Sequence, residues 1–231
     1  MSISLPGFDT WLTDRLEECA DDSGERVEAY VARAVATQMI TDCERVDRAS
    51  AGKLKAHLSL TGLTGQTATE GLRSVLADPN RLRALEATGL MDTPPEAAYA
   101  RLARTTADAL SAPVASLVLV AADRQFVAGA IGLGEATIRS QNFAESFDTY
   151  VVANGSPVSV DDARRHPLFK KWSSVRHAEV VAYLGMPLTD SAGHTVGTLS
   201  VSDRSPRRWT SGHMQILSDL AAVATERIFG A

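Results

Sequence analysis

Few residues in this chain carry groups that make or break bonds at neutral pH, and their spacing limits what they can do. The thiols are Cys19 and Cys43, with no Cys-x-x-Cys and no Cys/His cluster beside them. That pattern supports neither a structural zinc site nor a disulfide scaffold, and it fits a reducing cytoplasm. A haem iron would need an axial ligand, most simply histidine. His166 stands before Pro167 and reads as a turn residue, and His177 follows Arg176 in a polar stretch. His194 and His213 read as surface residues of a turn and of a first helical turn. Asp161 and Asp162 are adjacent, so in extended chain their carboxylates point apart rather than forming an acid–base pair. There is no nucleophile-elbow serine and no phosphate-binding loop. The chemistry on offer is binding, not catalysis.

The charge is uneven. The chain has 231 residues, 45% hydrophobic and 22% charged, with a formal net charge of −5. That length accommodates one domain and a smaller second one, with a core that needs no disulfide or metal. Residues 1–50 hold 5 Arg against 11 Asp and Glu, a net of −6, while the rest holds 18 basic and 17 acidic residues, a net of +1. An acidic N-terminal module is a poor partner for nucleic acid. No apolar run approaches the roughly 18 residues that span a bilayer, and Met1–Thr10 lacks the features of a signal peptide.

Periodicity supplies the elements. Residues 2–5 alternate polar and apolar, a four-residue strand ended by Pro6. A helix is predicted from Phe8 to Ala20, with Phe8, Leu12, Leu16 and Cys19 on one face. Asp21 to Gly24 breaks it, and a second helix follows from Glu25 to Val46, with Val27, Tyr30, Val31, Ala34, Val35 and Met39 along one stripe. Residues 51–77 read as a linker.

Beyond it, Asp78-Pro79 opens a short helix to Thr88. Thr93-Pro94-Pro95-Glu96 has the form of a capping box for a helix to Leu110. Strands are predicted at Pro113–Ala121, Gln125–Ile131, Pro157–Val160, Val180–Leu188 and Thr195–Ser202. A short helix spans Phe143–Val152, and a last helix runs from Thr210 to Phe229. Helices that lead, antiparallel hairpins and a closing helix make an α+β pattern, not a βαβ repeat.

Strand, helix, turn and helix within residues 1–50 resemble a ribbon-helix-helix module, and Glu28 to Ala36 is similar to that family's second helix. The resemblance implies a homodimer that pairs its strands. The chain departs from the family's DNA-reading pattern, with Ser2 and Ser4 on the strand and Asp21, Asp22 and Glu25 at the turn, so dimerisation is the better expectation than DNA contact. A plain helical hairpin that packs on its own copy is the alternative.

Residues 78–231 resemble a GAF domain. The motifs are Leu90 to Glu96, Asp123 to Phe126, Ser159 to Arg164 with His166 to Phe169, Tyr183 to Leu188, and Gly193 to Leu199. The resemblance implies a sheet of five or six antiparallel strands, helices on one face, and a ligand pocket on the other. It places Arg139, Phe143, Phe147, Tyr150, Trp172, His177 and Tyr183 as candidate ligand-binding residues. Phe126, Phe143 and Phe147 read equally well as core. Arg139 would anchor an anionic ligand and Trp172 would sit in a lid from Arg164 to Ala178. The basic set Arg164, Arg165, Lys170, Lys171 and Arg176 is a solvated face or a contact for an anion or acidic partner.

Relatives that attach a tetrapyrrole, or reduce methionine sulfoxide, use cysteines; this chain has none after Cys43, and Ala144 and Ser146 stand where a thiol would serve. No cofactor can be named. The expected function is a non-enzymatic cytoplasmic sensor that binds a small molecule or a protein, dimerised by residues 1–50. A ligand-controlled DNA-binding regulator and an enzyme on a GAF scaffold are the alternatives.

Overall fold

The computed structural model describes residues 6–46, 51, 54, 55, 58, 63, 72, 73, 75–94, 96–133 and 145–230. The chain divides into two units, Met1–Gly71 and Leu72–Ala231. Among the described residues, no helix is long and apolar enough to cross a membrane.

The first unit contains α1 (Thr10–Asp22) and α2 (Val27–Val46). Asp9 caps α1, its Oδ1 accepting from the Leu12 amide at 2.8 Å. The helix ends at the predicted break, where Gly24 takes a φ of +67°. Glu25 then pairs with Arg33 at 3.1 Å, tying the turn to α2. The expected apolar faces are only partly turned inward. Ala20 and Ala36 are buried, whereas Leu12, Val35 and Met39 are exposed. The expected strand at residues 2–5 lies outside the described residues. Within the expected linker, residues 72, 73, 75 and 76 have helical backbone, and Leu72 and Leu76 are buried.

The second unit opens with α3 (Pro79–Ala87), capped by Asp78, whose Oδ1 accepts from the Asn80 and Arg81 amides. Arg81 is buried and donates to the carbonyls of Val120, at 2.6 Å, and Leu76. Burial pushes its guanidinium down to about 10. Helix α4 (Ala97–Ala109) starts later than the capping-box reading expects. Glu96 is the cap residue and makes no side-chain cap bond, while the Thr93 hydroxyl donates back to the Leu90 carbonyl at 2.9 Å.

Five strands form one antiparallel sheet: β1 (Val114–Val120), β2 (Gln125–Ile131), β3 (Val158–Val160), β4 (Ala182–Thr189) and β5 (Thr195–Asp203), in the order β2-β1-β5-β4-β3. Side chains alternate between its faces. One face presents Leu117, Leu119, Leu184, Met186, Leu199 and Val201 and forms the core with α4 and with α7 (Ser211–Phe229) through Tyr99, Leu217, Ala221 and Ala224. Gly129 of β2 lets α4 approach closely, because a Cβ there would meet the Tyr99 carbonyl within 3 Å. Thr210 caps α7 reciprocally with His213. Trp209 locks the start of this helix to the end of β3, its Nε1 donating to the Val160 carbonyl at 3.1 Å. Strand β3 pairs only with Tyr183–Gly185, so the outer edge of β4 beyond Gly185, with Pro187 in it, carries no strand among the described residues.

Helix α5 (Phe147–Asn154) lies on the opposite face, against β1, β4 and β5. It starts four residues later than predicted, because Ser146 is its cap and accepts from the Thr149 amide. Gly155 ends it in the left-handed region, at φ +63°. The expected lid loop is not irregular. It contains two 3-10 turns, Ala163–Arg165 and Phe169–Lys171, and the single turn α6 (Ser173–Arg176).

Candidate functional site

The two faces of the sheet differ in chemistry. Opposite the aliphatic core, the face under α5 presents Ser116 from β1, Tyr183 and Gly185 from β4, and Thr198 and Ser200 from β5. All of these are buried. Their polar groups converge on Asp148, at the second position of α5. Its Oδ1 accepts from the Tyr183 hydroxyl at 2.8 Å, the Thr198 hydroxyl at 2.8 Å and the Ser200 hydroxyl at 3.0 Å. Ser200 in turn lies 3.1 Å from the Ser116 hydroxyl.

A carboxylate removed from water resists ionisation, and burial raises the Asp148 pKa; the three hydroxyl donors act in the other direction without cancelling it. Burial, and then the neighbouring carboxylate, push the Tyr183 phenol well above its ordinary value. Gly185 makes the geometry possible. A Cβ there would come within 3 Å of the Tyr183 ring and hydroxyl, so only glycine lets the ring lie along its own strand toward Asp148.

An aromatic layer covers this polar floor. Phe147 stacks on Tyr183 with ring centroids 4.7 Å apart, and Trp172 meets Phe147 edge-on at 4.9 Å. Phe169 joins Phe147, Trp172 and Tyr150 at 4.7–5.1 Å. His166 stacks on the outer side of this layer, 4.1 Å from Phe169. Partial burial lowers its pKa. A second small polar set lies at the start of α5, where the Gln125 amide reaches the Ser146 and Thr149 hydroxyls at 2.5 Å.

Of the expected ligand-binding residues, Phe147, Tyr150, Trp172 and Tyr183 come together in this layer. His177 does not join them; it is exposed, with Nδ1 3.3 Å from the Ser173 hydroxyl. Arg139 and Phe143 lie outside the described residues. Sequence reasoning missed Asp148, Phe169 and the hydroxyl floor. A signal existed for the floor: in Thr198-Leu199-Ser200-Val201-Ser202, hydroxyls alternate with aliphatic residues, which marks a two-faced strand. Asp148 gave no such signal, since an acid in a first helical turn is ordinary.

Outside the aromatic layer, Arg165, Lys170, Lys171 and Arg176 are exposed, and Arg164 pairs with Asp162 at 2.8 Å. Among the described residues no group of three or more His, Cys, Asp or Glu side chains could hold a metal ion.

An antiparallel five-stranded sheet with its core helices on one face and a short helix over a polar floor on the other defines a two-faced α+β domain. A model of the GAF domain family matches residues 94–228, and the chain belongs to that family. The ribbon-helix-helix resemblance of residues 1–50 finds no support in these comparisons. Among solved structures, the GAF domain of an Acinetobacter phosphoenolpyruvate-protein phosphotransferase is 18% identical, with a TM-score of 0.50, over 67% of this chain and 96% of its own. The free methionine-R-sulfoxide reductase of Neisseria meningitidis, in complex with its substrate, is 20% identical, with a TM-score of 0.46, over 69% of this chain and 85% of its own. GAF3 of Slr1393 from Synechocystis, in its photoproduct state, is 16% identical, with a TM-score of 0.48, over 58% and 92%. The curated proteins contain no match.

Proposed function

We propose that this chain is a non-enzymatic regulatory protein whose GAF domain senses a small molecule on the α5 face of its sheet. The observation that supports this is the buried Asp148 network. A domain that needed only a stable scaffold would fill that face with aliphatic side chains, as it does the other. Burying a carboxylate and four hydroxyls costs free energy even when they are bonded, and such groups concentrate where a ligand is recognised. The ionisable group described at the floor is an acid, Asp148. A ligand that reaches it would therefore be a neutral or cationic aromatic with N–H or O–H donors, entering beneath Trp172 and Phe169. The absence of cysteine after Cys43 speaks against the thiolate chemistry of the reductase relatives.

A second reading has its own observation. The rings of Phe147, Phe169, Trp172 and Tyr183 touch one another, which suits a domain that works by contact with a protein partner. A DNA-binding role fits less well, given the net charge of −6 in residues 1–50.

A thermal-shift screen of the full chain with nucleobases, nucleotides, haem, aromatic amines and carboxylate metabolites separates the two readings. A ligand held only by the folded state adds about 2.7 kcal/mol at one hundred times its dissociation constant. The sensor reading expects a stabilising donor-bearing ligand whose shift is lost in Asp148→Asn. Shifts from anions alone, indifferent to Asp148→Asn, would remove this site from consideration.

A further inference from the structure

The positive charge of the second unit is collected in one place. Residues 163–178 hold five Arg and Lys and no acid, a net of +5, while the rest of residues 72–231 holds 11 Arg against 16 Asp and Glu, a net of −5. The two 3-10 turns and α6, which make up most of this segment, pack against one another. Each is pinned by a buried side chain, Ala163, Phe169 or Val175, and each turns its basic residues outward. Arg165, Lys170, Lys171 and Arg176 are exposed, and among the described residues none of the four has a carboxylate within ion-pair distance. The nearby acids are engaged elsewhere: Asp162 pairs with Arg164, and Glu145 accepts from the Ser173 amide at 2.8 Å. An exposed acid, Glu179, borders the surface, where its amide donates to the Ser174 carbonyl.

Like charges held together repel, and acids interspersed among them would relieve that repulsion without touching the buried anchors. The return is a rigid set of cations, ordered in advance for an anionic partner. Three features narrow the partner. Phe169 and Trp172 are buried, so their rings are closed to the stacking that single-stranded nucleic acid needs. No element of the segment exceeds four residues, too short to enter the groove of a duplex. The segment exposes no large apolar side chain to anchor it in a bilayer. We propose that Arg165, Lys170, Lys171 and Arg176 form a docking surface for an acidic segment of a partner protein. This inference goes beyond the sensor reading and holds whether or not a ligand binds beneath α5.

The net charge of the whole chain makes binding diagnostic. At −5 the chain repels an acidic peptide at long range, so only a local cluster of cations can hold one. Such a contact weakens as salt screens it.

Fluorescence anisotropy of the full chain with a labelled poly-glutamate peptide tests the proposal. The expected result is saturable binding whose dissociation constant rises several-fold between about 0.05 and 0.3 M NaCl. Lys170→Glu combined with Lys171→Glu should raise that constant at least ~10-fold. Lys170→Gln with Lys171→Gln should raise it by less, and both variants should keep the near-ultraviolet circular dichroism of wild type. Arg101→Glu with Arg104→Glu makes the same charge change at exposed positions of α4, on the other face of the sheet, and should leave binding within about twofold of wild type. Failure to bind the peptide at low salt overturns the proposal. So does binding that survives both lysine pairs, or that falls equally with the α4 pair. Tighter binding to a labelled oligothymidylate of matched charge, or to phosphatidylserine vesicles, would assign the surface to nucleic acid or to a membrane instead.

Discussion

The Tyr183 hydroxyl donates to Asp148 Oδ1 at 2.8 Å, joining the first turn of α5 to the start of β4 across 35 residues of chain. Tyr183 thus has two roles at once. Its ring face carries Phe147 and the aromatic layer, and its hydroxyl belongs to the polar floor. Any movement of the layer that shifts the ring also changes how the carboxylate is solvated. The consequences are measurable.

The pH dependence of stability should carry the signature of Asp148. Burial raises its pKa above the ordinary value of 3.8, so the folded protein holds this proton more tightly than the unfolded chain. The contribution is full below the unfolded value and is lost as pH rises through the folded one. Urea midpoints of wild type and Asp148→Asn should therefore diverge with rising pH, wild type losing ground to the variant. A constant difference from pH 4 to pH 8 would mean that the carboxylate titrates as an exposed one does.

Gly185→Ala should cost about 1–3 kcal/mol, because the new methyl displaces Tyr183, a ring pinned by Asp148 and Phe147. The same substitution in Tyr183→Phe, which keeps the ring but removes its hydroxyl bond, should cost less. Denaturant melts of the four proteins give the coupling directly.

Arg81→Ala should destabilise the second unit by about 2–4 kcal/mol, since the carbonyls of Val120 and Leu76 both lose their donor. Arg81→Lys should recover little, because one ammonium cannot reproduce the fork that spans two carbonyls. Full recovery by lysine would show that only the positive charge matters.

Trp172→Ala should loosen the aromatic layer. The buried indole packs on Phe147 and Phe169, so its loss should cost about 3 kcal/mol. Limited proteolysis should then cut between Arg164 and Arg176 faster than in wild type. If the cleavage pattern is unchanged, the segment is held by its own turns rather than by the rings beneath it.

Much of the fold was legible because local rules and burial agree there. The Asp78 cap, both ends of β2 and the Thr210 start of α7 follow from residue types that admit one local conformation. The start of α4 was misread because Thr93 has a competing bond to its own preceding turn. The start of α5 was misread because an apolar phenylalanine before the cap looks like part of the helix in a linear pattern. The aromatic layer could be foreseen from Phe147, Trp172 and Tyr183, but its polar floor could not be assembled. Asp148, Thr198, Ser200 and Ser116 are up to 84 residues apart and meet only through the strand order. On α2 the predicted apolar stripe was only partly right: Ala34, Val35 and Met39 face outward, and the buried residue is Ala36, which was not on it.

Pro187 bears on a different hazard. It lies in β4 beyond the reach of β3, on a stretch of strand edge that no neighbour covers among the described residues. Proline has no backbone hydrogen to donate, so it sits where the strand looks away from β5, and it interrupts the row of donors that an invading strand would need. The short β3 is therefore tolerable. A sheet that ends in three residues and a proline can remain open at its margin, close to the apolar groove of about 680 Å³ beside α7, without inviting edge-to-edge aggregation.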